Sequence, residues 1–230
     1  MNRKENSVYL ISGGPGSDPE KMVSFCRTAL AASGKEHPSV AYVGTASGDD
    51  LSFFRYLKKI ILKAGASSVS MVPLANSSPD IPAARKMLSD SDAVFLTGGE
   101  VDEGMLWLEK SGMDQFLKQL FSEGRLFFGI SAGAIMMGEN WAHWEIEDDD
   151  DTASLICCLS FIPLTLDAHG EEENWQELKC VLRLKGSGAR GYGMVNGGFF
   201  RVSSSGKIEN MEKALLPFEN KDGKIEVRKK

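Results

Sequence analysis

Cysteine, histidine and long apolar runs are all scarce in this 230-residue chain. Each scarcity removes a class of function. The four cysteines, Cys26, Cys157, Cys158 and Cys180, show no CxxC spacing, and neighbours such as the middle pair rarely bond to each other. They read as reduced core residues without a metal or redox role. No stretch approaches the roughly 20 consecutive apolar residues that a membrane-spanning helix needs. The start, Met-Asn-Arg-Lys-Glu-Asn, leads into a strand-length apolar run rather than a signal peptide, so a cytoplasmic protein is expected. Basic residues are also in deficit. With 26 Lys and Arg against 32 Asp and Glu, the net charge is -6, which disfavours nucleic-acid binding driven by phosphate neutralisation. The Gly13-Gly14-Pro15-Gly16 loop lacks the Gly-Lys-Ser/Thr ending of a phosphate-binding loop and reads as a tight turn. Neither a nucleic acid, a membrane nor a cofactor is expected as a partner.

What is present is a regular alternation. Short apolar runs at Val8 to Ser12, Ser39 to Val43, Ser68 to Val72, Ala93 to Leu96 and Leu126 to Ile130 read as strands. Between them, Lys21 to Ser33, Leu51 to Ala64, Ile81 to Ser89 and Met113 to Glu123 carry apolar residues at helical spacing, with Phe53, Leu57, Ile60 and Ile61 forming one stripe. This order predicts an α/β fold: a doubly wound, mostly parallel, flavodoxin-like sheet with helices on both faces. Residues 1–230 are expected to form one domain, with 203–230 a peripheral hairpin or tail. In such a sheet, ligands lie beyond the carboxyl ends of the strands. Gly13-Gly14-Pro15-Gly16, Gly44-Thr45, Thr97-Gly98-Gly99 and Ser131 all fall at that edge.

The most informative stretch is Leu126 to Gly133, Leu-Phe-Phe-Gly-Ile-Ser-Ala-Gly. An apolar strand delivers Ser131 into a Gly-x-Ser-x-Gly frame, the pattern of a nucleophile elbow. Gly129 and Gly133 remove side chains where the strand turns sharply into a helix, and the Ala132 amide is then aimed at a developing oxyanion. A serine hydroxyl needs a base, and only His37, His143 and His169 are available. His37 lies in a loop beside Pro38, and His143 sits among Trp141, Trp144 and Glu145. His169 follows the apolar run Phe161 to Leu166, read as a strand, and so occupies a strand end where catalytic groups collect. It is the chosen base. The orienting acid is expected among Glu145, Glu147 and the Asp148 to Asp151 run. His143, Glu145, Glu147 and the Asp148 to Asp151 run offer metal-ligand chemistry, and in a strand the first three would share one face, but the spacing is not diagnostic, a solvated edge is the reading taken, and no metal is assigned.

In Thr97-Gly98-Gly99, in Gly129 to Ala134, in Pro163 with Asp167-Ala168-His169, and in Gly191-Tyr192-Gly193-Met194, the chain resembles the dipeptidase E and cyanophycinase family of serine peptidases. That family's fold resembles the class I glutamine amidotransferases. The resemblance extends from the first strand to about Val202. It implies Ser131 as nucleophile, His169 as base and the Gly99 and Ala132 amides as oxyanion hole, and it places the acid nearest Glu147, with Glu145 and Asp148 as alternates. Gly98, Glu100, Asp167 and Gly170, which flank these positions in sequence, are the candidate substrate-binding residues. A monomer or homodimer acting on a small peptide is implied. Serine rather than cysteine at the elbow disfavours glutamine hydrolysis.

The chain departs from that pattern where Glu100 follows Gly99 and where Ala168-His169-Gly170 replaces Pro-His-Phe. After the histidine, where the family places arginines that bind an aspartyl carboxylate, stand Glu171, Glu172, Glu173, Asn174 and Trp175. Three carboxylates in place of cations repel an acidic substrate. The expected substrate is therefore a short peptide or amide that is neutral or basic near the scissile bond. The competing expectation is a catalytically silent relative that keeps the fold for ligand binding or partner interaction.

Overall fold

The computed structural model describes residues 5–14, 17–146 and 149–228. Its first half follows the alternation read from sequence: β1 (Ser7–Ile11), α1 (Pro19–Ala31), β2 (Ser39–Val43), α2 (Leu51–Lys63), β3 (Ser68–Val72), α3 (Ile81–Asp90), β4 (Ala93–Leu96), α4 (Val101–Ser111), α5 (Met113–Ser122) and β5 (Leu126–Ile130). Aspartates start three of the helices. Asp18, Asp50 and Asp80 accept hydrogen bonds from the amides of Glu20, Phe53 and Ala83, supplying partners that the first helical turn lacks. Pro19 and Pro82 fall in first turns, where a missing amide hydrogen costs nothing.

The second half adds α6 (Ala132–Ile135), β6 (Asn140–Trp144), β7 (Ala153–Cys157), β8 (Leu166–Ala168), α7 (Gln176–Lys185), β9 (Arg190–Met194), β10 (Phe199–Ser203), β11 (Ile208–Glu212), β12 (Leu216–Lys221) and β13 (Lys224–Val227). A seven-stranded sheet runs in the order β11-β10-β1-β5-β4-β2-β3. Its five strands from β1 to β3 are parallel, and β10 and β11 join antiparallel at one edge. A four-stranded sheet, β13-β12-β9-β8, stands beside α7, and β6 and β7 form a separate hairpin.

Alternation along each central strand divides the core into two layers. Val8, Leu10, Val94, Leu96 and Phe127 face one layer, with Leu88, Met105, Leu108 and Leu117 from α3, α4 and α5. Tyr9, Ile11, Phe95 and Phe128 face the other, with Val23, Cys26, Leu57 and Ile61 from α1 and α2. The rings of Phe95 and Phe128 lie 4.9 Å apart in that second layer. Full burial of one such side chain contributes roughly 1.5–3 kcal/mol. The central sheet is therefore a rigid platform for whatever its loops carry.

Three sequence expectations change. Phe161 to Leu166 is not a strand. Pro163 interrupts it, and the Phe161 and Ile162 amides instead donate to Met137 O, while Leu164 O accepts from the Glu139 amide. Only Leu166–Ala168 pairs, with β9. The chain beyond Ser203 is more than a hairpin or tail: β11 extends the main sheet, and β12 pairs with β9 inside the second sheet. Cys157 is exposed, unlike the other three cysteines. No helix among the described residues is long and apolar enough to cross a membrane.

Candidate active site

Ser131 stands between β5 and α6 with φ 51° and ψ −123°, a conformation that L-residues rarely adopt. Its surroundings enforce this turn. The Ser131 amide donates to Ile11 O at 2.9 Å, while Ser131 O accepts from the Ala134 and Ile135 amides. A Cβ on Gly133 would overlap the carbonyl of Leu96 and lie 2.6 Å from Thr97 O, and one on Gly129 would lie 2.8 Å from Gly133 O. The two glycines of the Gly-x-Ser-x-Gly frame thus let α6 press directly against β4 and β5, which projects the serine from the sheet edge.

His169 reaches Ser131 from the other sheet. It directly follows β8, has φ 49°, and donates its amide to Met194 O at 2.9 Å. Its Nε2 lies 2.8 Å from Ser131 Oγ, within hydrogen-bond reach for proton transfer. Gly14 makes room for this approach. A Cβ there would meet His169 Cβ at 3.1 Å and Asn196 Oδ1 at 2.9 Å, so the glycine loop read as a tight turn serves a close backbone approach.

On the opposite side, Gly99 adopts φ 135°, and a Cβ there would overlap the backbone of Ala46. The following amide, of Glu100, donates to Ala46 O at 2.8 Å. The amides of Gly99 and Ala132 have no acceptor among the described residues. Gly98 lies against the nucleophile, its would-be Cβ 3.2 Å from Ser131 Cβ.

The remaining sequence candidates are distributed differently. Glu147 and Asp148 lie outside the described residues. Glu145 is exposed beyond the end of β6. Asp149 accepts from the Asp151 amide, and Asp150 accepts from Trp144 Nε1 at 3.2 Å and pairs with Arg183 of α7. His143 Nδ1 lies 2.7 Å from Asp102 Oδ2 on α4, and the described residues contain no group of three potential metal ligands. Glu100 is exposed at the start of α4. Asp167 and Gly170 are buried and do not line the cleft over Ser131. Asp167 Oδ1 accepts from the Ala168 amide at 2.6 Å. Burial pushes its pKa up to about 8, Glu177 and Glu173 add repulsion, and the amides of Ala168 and Leu178 pull the other way. Of the acidic segment after the histidine, Glu171 is occupied by the Asn196 amide at 2.6 Å, and Trp175 is buried against Leu178, Leu182 and Phe218.

A cleft of about 430 Å³ opens above Ser131 and His169. Gly14, Gly98 and Gly99 border it, and Met22, Phe53, Tyr56, Leu57 and Ile130 form its wall. Sequence reasoning assigned Phe53 and Leu57 to a core stripe and did not single out Met22 or Tyr56 for function. The available signal was that the stripe of α2 continues into its first turn, where the helix overhangs the ends of the strands. A larger depression, about 860 Å³ and lined by Glu5, Asn6, Glu123 and Arg125, lies at the opposite end of β1 and β5, away from the serine.

The family model of peptidase family S51 matches residues 8–209. An uncharacterized peptidase, YgaJ, of Bacillus subtilis (strain 168) is 23% identical over 168 residues, which cover 72% of this chain and 69% of that protein. Among solved structures, a candidate peptidase E protein from Listeria monocytogenes EGD-e superposes with a TM-score of 0.66 at 18% identity, covering 92% of this chain and 100% of that one. A peptidase from an acI-B1 Actinobacterium gives 0.69 at 15% identity, covering 97% of each chain. These structural likenesses establish the fold, and the family match covers most of the sequence. The chain belongs to peptidase family S51, a dipeptidase E-like family of serine-type peptidases.

Proposed function

We propose that the protein hydrolyses a short peptide or amide through Ser131 and His169. The observation that carries this reading is the 2.8 Å approach of His169 Nε2 to Ser131 Oγ at a strained strand-to-helix turn. Ser131 Oγ forms a bond to the substrate's carbonyl carbon as its proton passes to Nε2. The carbonyl oxygen, now an oxyanion, is held by the Gly99 and Ala132 amides, which are free of other acceptors among the described residues. The C–N bond then breaks, and the His169 imidazolium gives its proton to the leaving amine. Water, deprotonated by the same imidazole, attacks the ester and releases Ser131. Glu147 is the acid assigned to hold the His169 ring, on the sequence argument alone. Glu171, Glu172 and Glu173 after the base, and a cleft wall without a cation among the described residues, support a substrate that is neutral or basic near the scissile bond.

Labelling with a fluorophosphonate, with the adduct located by mass spectrometry, tests the mechanism. The expected result is an adduct on Ser131 in the wild-type protein and none in folded Ser131→Ala. A folded wild-type protein that neither labels nor cleaves any member of a dipeptide panel would instead be a silent binding module.

A further inference from the structure

We infer that the cleft beside Ser131 is a specificity pocket for a bulky, uncharged apolar side chain, aromatic in the best case, next to the scissile bond. This rests on the serine-peptidase reading and narrows its substrate from neutral or basic to apolar. The argument starts with α2. Its apolar stripe runs through Leu57, Ile60 and Ile61 into the core, but the first turn projects past the strand ends. Phe53 is there only half-buried, and Tyr56 remains 48% exposed. Phe53 packs only in part against the core, Tyr56 stands outside it, and both line the space over Ser131. Met22 from α1 and Ile130, the residue before the serine, close the floor; both are buried.

The chemistry of this wall is one-sided. Among the described residues that line it, none is Lys, Arg, Asp or Glu, and the polar groups are Ser17, the Tyr56 hydroxyl and the reacting pair. A carboxylate or ammonium entering here would lose water without gaining a counter-ion, a cost that an apolar side chain does not incur. An apolar side chain gains burial in proportion to its area, and aromatic rings have the largest area and stack on other rings. The volume of about 430 Å³ lies within the range of small-molecule pockets and accommodates an aromatic residue with part of its backbone. The acidic residues after His169 do not line this wall, so they do not make the pocket basic-selective.

Calorimetric binding to the full-length Ser131→Ala protein separates this inference from the mechanism, because it reads affinity without turnover. The probes are Phe-Ala, Ala-Phe, Ala-Ala, Asp-Ala and Lys-Ala. The tighter of Phe-Ala and Ala-Phe is expected to bind about tenfold better than each of the other three. Adding Phe53→Ala should remove most of that advantage, and Tyr56→Ala, on the exposed rim, should remove about threefold. Phe53→Arg should improve Asp-Ala at low salt. Equal or tighter binding of Asp-Ala or Lys-Ala to the parent, an aromatic advantage untouched by both alanine variants, or no saturable binding of any dipeptide in the millimolar range would each overturn the inference. Aromatic selectivity in binding, with wild-type protein that neither labels nor hydrolyses, would leave the pocket standing and defeat only the serine mechanism.

Discussion

Ser131 and His169 are held in different ways. Ser131 is fixed by backbone on every side: Gly129 and Gly133 let α6 press on the carbonyls of β4, and the Ser131 amide is held by Ile11 O of β1. His169 follows β8 of the smaller sheet; the Met194 carbonyl holds its amide and Gly14 packs on its Cβ, while the adjoining Gly170 faces the side chains of Asp167 and Trp175. Backbone against backbone cannot yield, whereas side chain against side chain can shift. The elbow should therefore tolerate change poorly, and the histidine turn should tolerate it better while responding to pH.

The largest effect removes either partner's reactive atom. Ser131→Ala and His169→Ala should each lower kcat/KM by roughly 10⁴- to 10⁶-fold, and the double variant should fall little further, because the two act as one unit. Additive losses in steady-state kinetics would show that they do not.

Next comes the geometry of the elbow. Gly133→Ala drives a Cβ into the Leu96 and Thr97 carbonyls, and urea unfolding should show a loss of about 3 kcal/mol or more together with lost fluorophosphonate labelling. A stable, labelled Gly133→Ala protein would refute the idea that backbone contact sets the turn.

The buried carboxyl two residues before the histidine is tested by Asp167→Asn. With its pKa raised to about 8, folded Asp167 keeps a proton that the unfolded chain releases above about pH 4. The folded state then binds more protons, so this group's contribution to stability falls as pH rises from about 4 to about 8 and levels off above. Asparagine is neutral throughout and should flatten that decline by an amount on the order of a few kcal/mol. Parallel melting-temperature profiles from pH 4 to 9 for the two proteins would contradict the assignment.

The smallest effect is Gly170→Ala. Its Cβ would meet Asp167 Oδ2 and Trp175 Cε3, each at 3.1 Å, and both are side-chain atoms. The cost should be about 1 kcal/mol in urea unfolding, with labelling retained. A loss matching that of Gly133→Ala would erase the contrast between the two regions.

Much of this was legible in the chain. The five parallel strands lie within a residue of the runs read as strands: β1, β2, β4 and β5 are buried on both faces and nearly apolar throughout, while edge strand β3 alternates buried Val69 and Val72 with exposed serines. Helix α4 escaped the periodicity reading. Its interior Gly104 weakens the helical signal, yet a Cβ there would press on Ala46 and the Met136 sulfur, so the glycine serves packing. The run Phe161 to Leu166 misled for the opposite reason: its apolar residues are buried, but their amides pair with the turn after α6, which no local pattern encodes. Asp167, read as a candidate substrate-binding residue, is 2% exposed.

By itself, the sequence determined the parallel sheet, the elbow and the serine at its apex, since period, chain direction and the absence of side chains at Gly129 and Gly133 are local properties. Tertiary structure alone decided how closely His169 approaches that serine, that Asp167 is buried with a raised pKa, and that α2 contributes Phe53 and Tyr56 to the wall of a cleft. Those outcomes depend on distances and desolvation between segments far apart in the chain, and they exist only once the two sheets have packed.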